Sequence, residues 1–330
     1  MDTNLSLVCV GIDIAKDKFD ACLVPALGKR KLKEFTNTPD GFAKLLRWAG
    51  HLAPSSAFHF CMEATGSYYE ALASYLADAN QLVSIINPSC IHHAARAQGA
   101  GNKTDRADAG VIADFCRKES PPIWRRSAPE VRTLVAMMRR LHSLKDLLNQ
   151  EQNRLADPGL TNQPEVLASL NKSVGFLKGE IDRLLAQVND HIEKHPGLRA
   201  DRELLTSIPG IGELTAAWII AELPDVRMIG SAQSAAAYAG LAPREYSSGT
   251  SVHHRTHLSK RGNVYLRRAM YMPAMAAARY NPAVKALYDR LIAEGRPRMV
   301  AIGAAMRKLL MLAYGVLRSR KEFQYTPAQS

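Results

Sequence analysis

The sequence predicts an α/β domain with a mixed sheet flanked by helices, then a helical coiled-coil middle, then a mainly α C-terminal domain. Three observations predict it. Short apolar runs at 7–14, 57–62 and 82–86 read as buried strands, with helical patterns between the later ones. Two long stretches, 129–156 and 167–188, carry apolar residues at alternating three-and-four spacing. From about residue 204 onward, helical patterns alternate with turns marked by Gly and Pro. The expected boundaries are 1–120, 121–198 and 199–318, with a tail at 319–330.

The first strand, 7–14, ends in Gly-Ile-Asp-Ile, which sets Asp13 at its C-terminal end. Residues 18–24 and 30–36 follow at short spacing and read as hairpin partners of that strand. Thr38-Pro39 opens a helix, with Thr as cap and Pro suited to the first turn. The fourth strand, 57–62, is closed by Glu63, and Gly66-Ser67 opens a helix over 68–79. Asn87-Pro88 closes the fifth strand; a short helix and a Gly-rich break at 99–101 follow. The next helix starts near Asp105 and runs through Val111, Ile112, Phe115 and Cys116.

Pro121-Pro122 ends this domain. In the first long helix the seam is Val131, Leu134, Met138, Leu141, Leu148 and Leu155, interrupted by Lys145 and Gln152. In the second it is unbroken from Leu167 to Val188. Such a seam serves either a helical hairpin within one chain or dimerisation. Asp157-Pro158-Gly159 separates the two helices. Further on, Ile208-Pro209-Gly210-Ile211-Gly212 joins two helices by a turn that is either a plain tight turn or a helix-hairpin-helix. In the latter, backbone N–H groups near Gly210 and Gly212 would meet a phosphate. Helices at 231–239, 263–279 and 298–317 follow, and the tail from Arg320 reads as loose.

Charge narrows the partner. Forty-three Lys and Arg against 31 Asp and Glu give a net +12 over 330 residues, which favours nucleic acid first and an anionic membrane second. The stretch 241–268 alone carries six Lys/Arg and one acid, among them Arg244, Arg255, Lys260, Arg261 and Arg267. Lys103 joins them as a candidate contact. His253 and His257 lie one helical turn apart, but no Cys or Glu joins them in register, so they read as phosphate neighbours rather than a zinc site. The five cysteines form no CxxC pair and sit in apolar runs, as small core residues of a cytoplasmic protein do. The N-terminus shows no basic-then-apolar signal, and the apolar stretch at 299–317 contains Arg307 and Lys308, so no membrane span is expected.

Four acids need a common explanation. Asp13 and Glu63 each end an apolar strand, and strands one and four of such a sheet can be neighbours. Asp105 and Asp108 are three apart and share a helix face. Singly, each reads as a cap or a surface charge. Together they would repel, unless a divalent cation reverses the interaction. Such carboxylates hold one or two Mg2+ (or Mn2+) ions, and two ions about 4 Å apart clamp both oxygens of an in-line phosphoryl displacement. That is the ribonuclease H-like arrangement.

Five motifs occur in order: Gly11-Ile12-Asp13-Ile14-Ala15-Lys16, Glu63-Ala64-Thr65-Gly66, Asn102-Lys103-Thr104-Asp105-Arg106-Ala107-Asp108, Ile208-Pro209-Gly210-Ile211-Gly212 and Ser248-Gly249. Together they resemble the DEDD-type insertion-sequence transposases of the IS110 family, related to the Piv DNA invertases. The likeness covers nearly the whole chain. It implies a RuvC-like N-terminal domain with Asp13, Glu63, Asp105 and Asp108 as metal-binding acids. It also implies a coiled coil and a C-terminal domain with a nucleophilic serine, which matches Ser248, with Ser247 and Ser251 close by. Some members are guided by a structured bridge RNA that pairs with target and donor DNA. The expected activity is therefore DNA cleavage and rejoining through a serine–DNA link, by a homodimer that pairs into a tetramer on nucleic acid in the bacterial cytoplasm and nucleoid. The alternative is a RuvC-like junction nuclease that hydrolyses DNA without the serine. A third reading is a non-catalytic RNA-binding scaffold.

Overall fold

The computed structural model describes residues 7–25, 29–64, 68–86, 88, 90–91, 94, 105–160, 163–244, 247–248, 252–253, 257–260 and 262–325. Two compact units divide between Arg126 and Ser127.

The first unit is built on five strands: β1 (Leu7–Ile14), β2 (Lys18–Val24), β3 (Lys31–Thr36), β4 (Ala57–Glu63) and β5 (Leu82–Ile86). Their order is β3-β2-β1-β4-β5. The first three pair antiparallel, while β1–β4 and β4–β5 pair parallel. The sheet is mixed, and strands one and four are neighbours, as the sequence predicts. Alternation along the strands gives each face its own residues. One face carries Val8, Val10, Ile12, Phe60 and Met62 in a core shared with Phe42 and Leu45 of α1 (Pro39–Leu52) and Leu72 and Leu76 of α2 (Tyr69–Asp78). Thr38 caps α1 by accepting from the Gly41 N–H, and Pro39 fills its first turn.

The other face lies under α3 (Asp105–Glu119). Gly11 explains how close that helix comes. A Cβ at Gly11 would sit 2.2 Å from both Ala109 O and Ala113 N, so any side chain there would push the helix off the strand. The short helix and Gly-rich break expected before α3 fall largely outside the described residues.

The second unit begins with α4 (Pro129–Leu155) and α5 (Pro164–Lys194), joined through a 3-10 turn at Pro158–Leu160. The ring N–H of His191, near the end of α5, donates to Glu130 O at the start of α4, so the pair is an antiparallel hairpin within one chain. Its seam residues Leu134, Met138, Leu141, Ile181 and Val188 do not form a separate core. They are continuous with Leu205, Ile219, Ala274 and Leu309 of the helices that follow. An independent middle domain ending at 198 is therefore not what packs: the hairpin base and the C-terminal helices bury one another.

Those helices are α6 (Pro196–Thr206), α7 (Glu213–Glu222), α8 (Ala232–Tyr238), α9 (Val264–Ala269), α10 (Tyr271–Tyr280), α11 (Pro282–Ala293) and α12 (Arg298–Ser319). The single helix expected at 263–279 is broken at Met270. Pro273 has no N–H to offer the Ala269 carbonyl, so the ladder cannot run through. Helix α12 is long and apolar enough to cross a membrane, but Leu309, Leu310, Ala313 and Leu317 face the core, and Tyr314 donates to Ile229 O. The described part of the tail, 320–325, is tied down: the Phe323 N–H donates to Ser207 Oγ at 2.8 Å, and its ring packs on the core.

Candidate functional site

The strand register builds the acidic site. In the β1–β4 ladder Ile12 faces Met62, so Asp13 and Glu63 are the next residues on adjacent parallel strands. Both point to the α3 face, because Gly11 does and the period is two. Helix α3 runs opposite to β1. Its Ala109 and Ala113 lie over Gly11, while the Cys116 thiol reaches His59 O at 3.7 Å, further back along the sheet. Its first turn, with Asp105 and Asp108, therefore stands at the strand ends that carry Asp13 and Glu63. Asp13, Glu63 and Asp108 are half-buried; for Asp105 the backbone position is described.

A fifth acid belongs here. Asp20 opposes Asp13 directly across the β1–β2 ladder, on the same face, and is 5% exposed. Like charges directly opposite destabilise a sheet, and burial strengthens the effect. Every ligating atom these residues offer is a carboxylate oxygen, the donor a hard divalent ion takes. The set fits such an ion in chemistry and charge. Among the described residues, the one group with three ligand atoms within 4.8 Å of one another is Cys9, His59 and Cys116.

Neighbours hold the acidic end in place. Asn37 Nδ2 donates to Ala15 O, Lys16 O and Tyr68 O, fixing the turn that follows β1. Arg30 reaches over α3 to the buried Asp114 at 2.5 Å.

The serine segment is a β-hairpin rather than a loop. Pro243–Arg244 pairs with His257–Leu258, and Ser247–Ser248 pairs with Val252–His253, both antiparallel. Ser248 thus pairs with Val252. Arg255, Arg261 and Lys103 lie outside the described residues; so do Gly249, Ser251 and His254.

The base of the hairpin is clamped. Gly262 has φ +136°, and a Cβ there would meet Tyr238 O at 2.3 Å. Next to it, the Asn263 N–H donates to Tyr238 O, and its side chain donates to Glu222 Oε2 at 2.7 Å. Glu222 is 5% exposed and takes two further bonds from Arg139, at 2.8 and 3.1 Å. The carboxylate raises the Arg139 pKa above its ordinary value, and the guanidinium also stacks on Tyr265. This clamp joins residues far apart in sequence and was not foreseen.

Two expected phosphate contacts also have packing partners. Arg267 is half-buried and donates to Ala239 O at 3.1 Å, and burial, with Arg268 beside it, lowers its pKa. Gly210 has φ +102°, and a Cβ there would meet the Ala277 Cβ at 2.7 Å, so its glycine serves close approach to α10. Gly212, the residue before α7, has open space around it, and Lys260 is exposed.

Comparison with known proteins adds the class. A family profile described as "Transposase IS116/IS110/IS902 family" matches residues 202–289, and a transposase profile for the DEDD domain of IS110 elements matches 10–157. The chain is 34% identical over 323 residues to the pilin gene-inverting protein of Moraxella bovis, covering 97% of this chain and 98% of that one. It is 24% identical over 347 residues to the transposase for insertion sequence element IS1111A of Coxiella burnetii, covering 96% and 91%. The solved structure of Thermus thermophilus RuvC aligns to 34% of this chain and 96% of its own, with 16% identity and a TM-score of 0.26. The class is that of DNA recombinases: enzymes that transpose or invert DNA segments. Within it, the chain belongs to the IS110 family of insertion-sequence transposases.

Proposed function

We propose that this transposase cuts and rejoins DNA through a covalent link to Ser248, using Asp13, Glu63, Asp105 and Asp108 to hold Mg2+ (or Mn2+), with Asp20 as a fifth acid. The observation that carries the reading is the register that makes Asp13 and Glu63 neighbours at the mouth of the α3 cleft. Bound there, a divalent ion would supply Lewis-acid stabilisation of phosphoryl oxygens. The chain's own part is to bring the carboxylates to one end of the sheet before DNA arrives.

Ser248 is the candidate nucleophile because it directly precedes Gly249, in a segment held as paired strands at Ser247–Ser248 and Val252–His253. Its hydroxyl attacks the phosphorus, the bond to the leaving sugar oxygen breaks, and that oxygen takes up a proton. The phosphodiester linkage is exchanged rather than hydrolysed, so a second sugar hydroxyl can reverse the step and release the serine. Arg244, Arg255, Lys260 and Arg261 supply positive charge toward the phosphate. A structured guide RNA pairing with target and donor DNA is part of this proposal, supported by the family and by the net charge of +12. Self-association is part of it too: Phe176 on α5 is 66% exposed, and Leu147 and Val166 on the same hairpin are also exposed.

The test is to incubate protein, guide RNA and end-labelled DNA, denature, and look for label on protein. Ser248→Ala is expected to lose the adduct and Ser247→Ala to keep it. Cleavage with no adduct in the wild type would favour hydrolysis by a junction-type nuclease and overturn the serine step. Recombination that proceeds equally well without RNA would overturn guidance.

A further inference from the structure

The cleft under α3 has a second end. There, β1, β4 and α3 place Cys9, His59, Cys61 and Cys116 together, all buried. Ligand atoms of Cys9, His59 and Cys116 lie within 4.8 Å of one another. The Cys61 thiol lies beside them, 3.8 Å from His59 Nε2, and hydrogen-bonds with Cys116. From this we propose that Cys9, Cys116 and His59 form a zinc site that pins α3 to the sheet, completed as a tetrahedron when Cys61 turns its thiol inward from the Nε2 side of the ring.

Three facts support it. The donor set is three thiols and one imidazole, the set that selects zinc over hard cations. Ligand atoms around tetrahedral zinc sit roughly 3.3–3.8 Å apart, so for Cys9, His59 and Cys116 closing on an ion needs shifts of about 1 Å or less. The imidazole already has the outer partner a ligating histidine takes. Ser84 Oγ donates to Pro121 O and Pro122 O, so it accepts from His59 Nε2–H at 2.8 Å. That leaves Nδ1 with its lone pair.

Without metal, hydrogen bonding and burial hold the Cys9 and Cys116 thiols well above the ordinary thiol range. Zinc would displace the three thiol protons to water, and the resulting site carries one net negative charge. Arg117, whose charge is felt at Cys9, offsets it.

The site is separate from the acids. Cys9 and Asp13 are four residues apart on one strand, about 13 Å. Yet the same three elements carry both sets. A zinc ion at one end would fix the angle at which α3 presents Asp105 and Asp108 at the other. The zinc assignment does not rest on the serine or metal-ion steps proposed above.

The test uses the full chain. Protein purified without chelator is expected to carry about one zinc per chain by elemental analysis, released on adding a mercurial thiol reagent. The metal-free folded chain titrated with Co2+ should develop thiolate-to-cobalt charge-transfer and tetrahedral ligand-field absorption, abolished by Zn2+. Cys9→Val and Cys116→Val keep apolar volume and should lower bound zinc at least about tenfold. Cys22→Val and Cys90→Ser should not lower it. Should the valine variants fail to fold, the wild-type cobalt titration decides alone. A folded wild-type chain that gives no thiolate–cobalt band overturns the proposal, as does zinc retained in full by both valine variants.

Discussion

Asp13 and Asp20 face each other across an antiparallel ladder, both on the side of the sheet that α3 covers. Asp20→Asn is expected to weaken Mg2+-dependent DNA cleavage by roughly 10- to 100-fold. A cleavage assay over a range of Mg2+ concentrations checks it. Undiminished cleavage would contradict a role for Asp20 beside Asp13.

Gly11→Ala places a methyl group 2.2 Å from the backbone of α3. Backbone cannot rotate away as a side chain can, so the helix must move. The expected cost is about 2–3 kcal/mol, with activity lost. Denaturant unfolding should show the loss in the first unit, while Trp218 fluorescence in the second unit keeps its midpoint.

The Glu222–Arg139 pair is bidentate but only one partner is fully buried, since the Arg139 side chain is 50% exposed. Glu222→Ala should cost about 2–4 kcal/mol, less than a fully buried pair, because water can reach the guanidinium left behind. A double-mutant cycle with Arg139→Ala measures the coupling. Additive losses would show that Glu222 acts through Asn263 alone.

Gly262→Ala meets both a positive φ and the Tyr238 carbonyl. The hairpin base should shift while the helical core stays folded. We expect DNA cleavage to fall more than tenfold with a melting change under about 2 kcal/mol. Unchanged cleavage would show that the clamp does not position the serine hairpin.

Much of the N-terminal site was legible because β-strands are local. An apolar run that stops at Asp13 or Glu63 announces a strand end, and two-residue alternation then fixes which face the acid takes. Asp20 was missed for the same reason: it lies inside a strand, not at the end of one, and only the ladder shows what opposes it. Cys9, His59, Cys61 and Cys116 have no motif spacing, since their proximity is made by three elements meeting. Arg267 and Gly210 were read by residue type as phosphate contacts. The structure gives each a packing contact as well, Arg267 with Ala239 O and Gly210 with Ala277, which residue type does not reveal. The clamp at Glu222 draws on Arg139 and Asn263, 83 and 41 residues away, and sequence reading has no signal at such range.

The order of elements in the first unit has a consequence during synthesis. Asp13 leaves the ribosome early, but its strand neighbour Glu63 comes only after three strands and a helix, and α3 is the last helix of that unit. A nascent or truncated chain lacking α3 holds three of the acids and not the other two. The protein therefore cannot acquire a complete set of acids until the whole first unit has been made and folded. On the role proposed for these acids, a half-made chain would be unable to cut the DNA beside which it is translated.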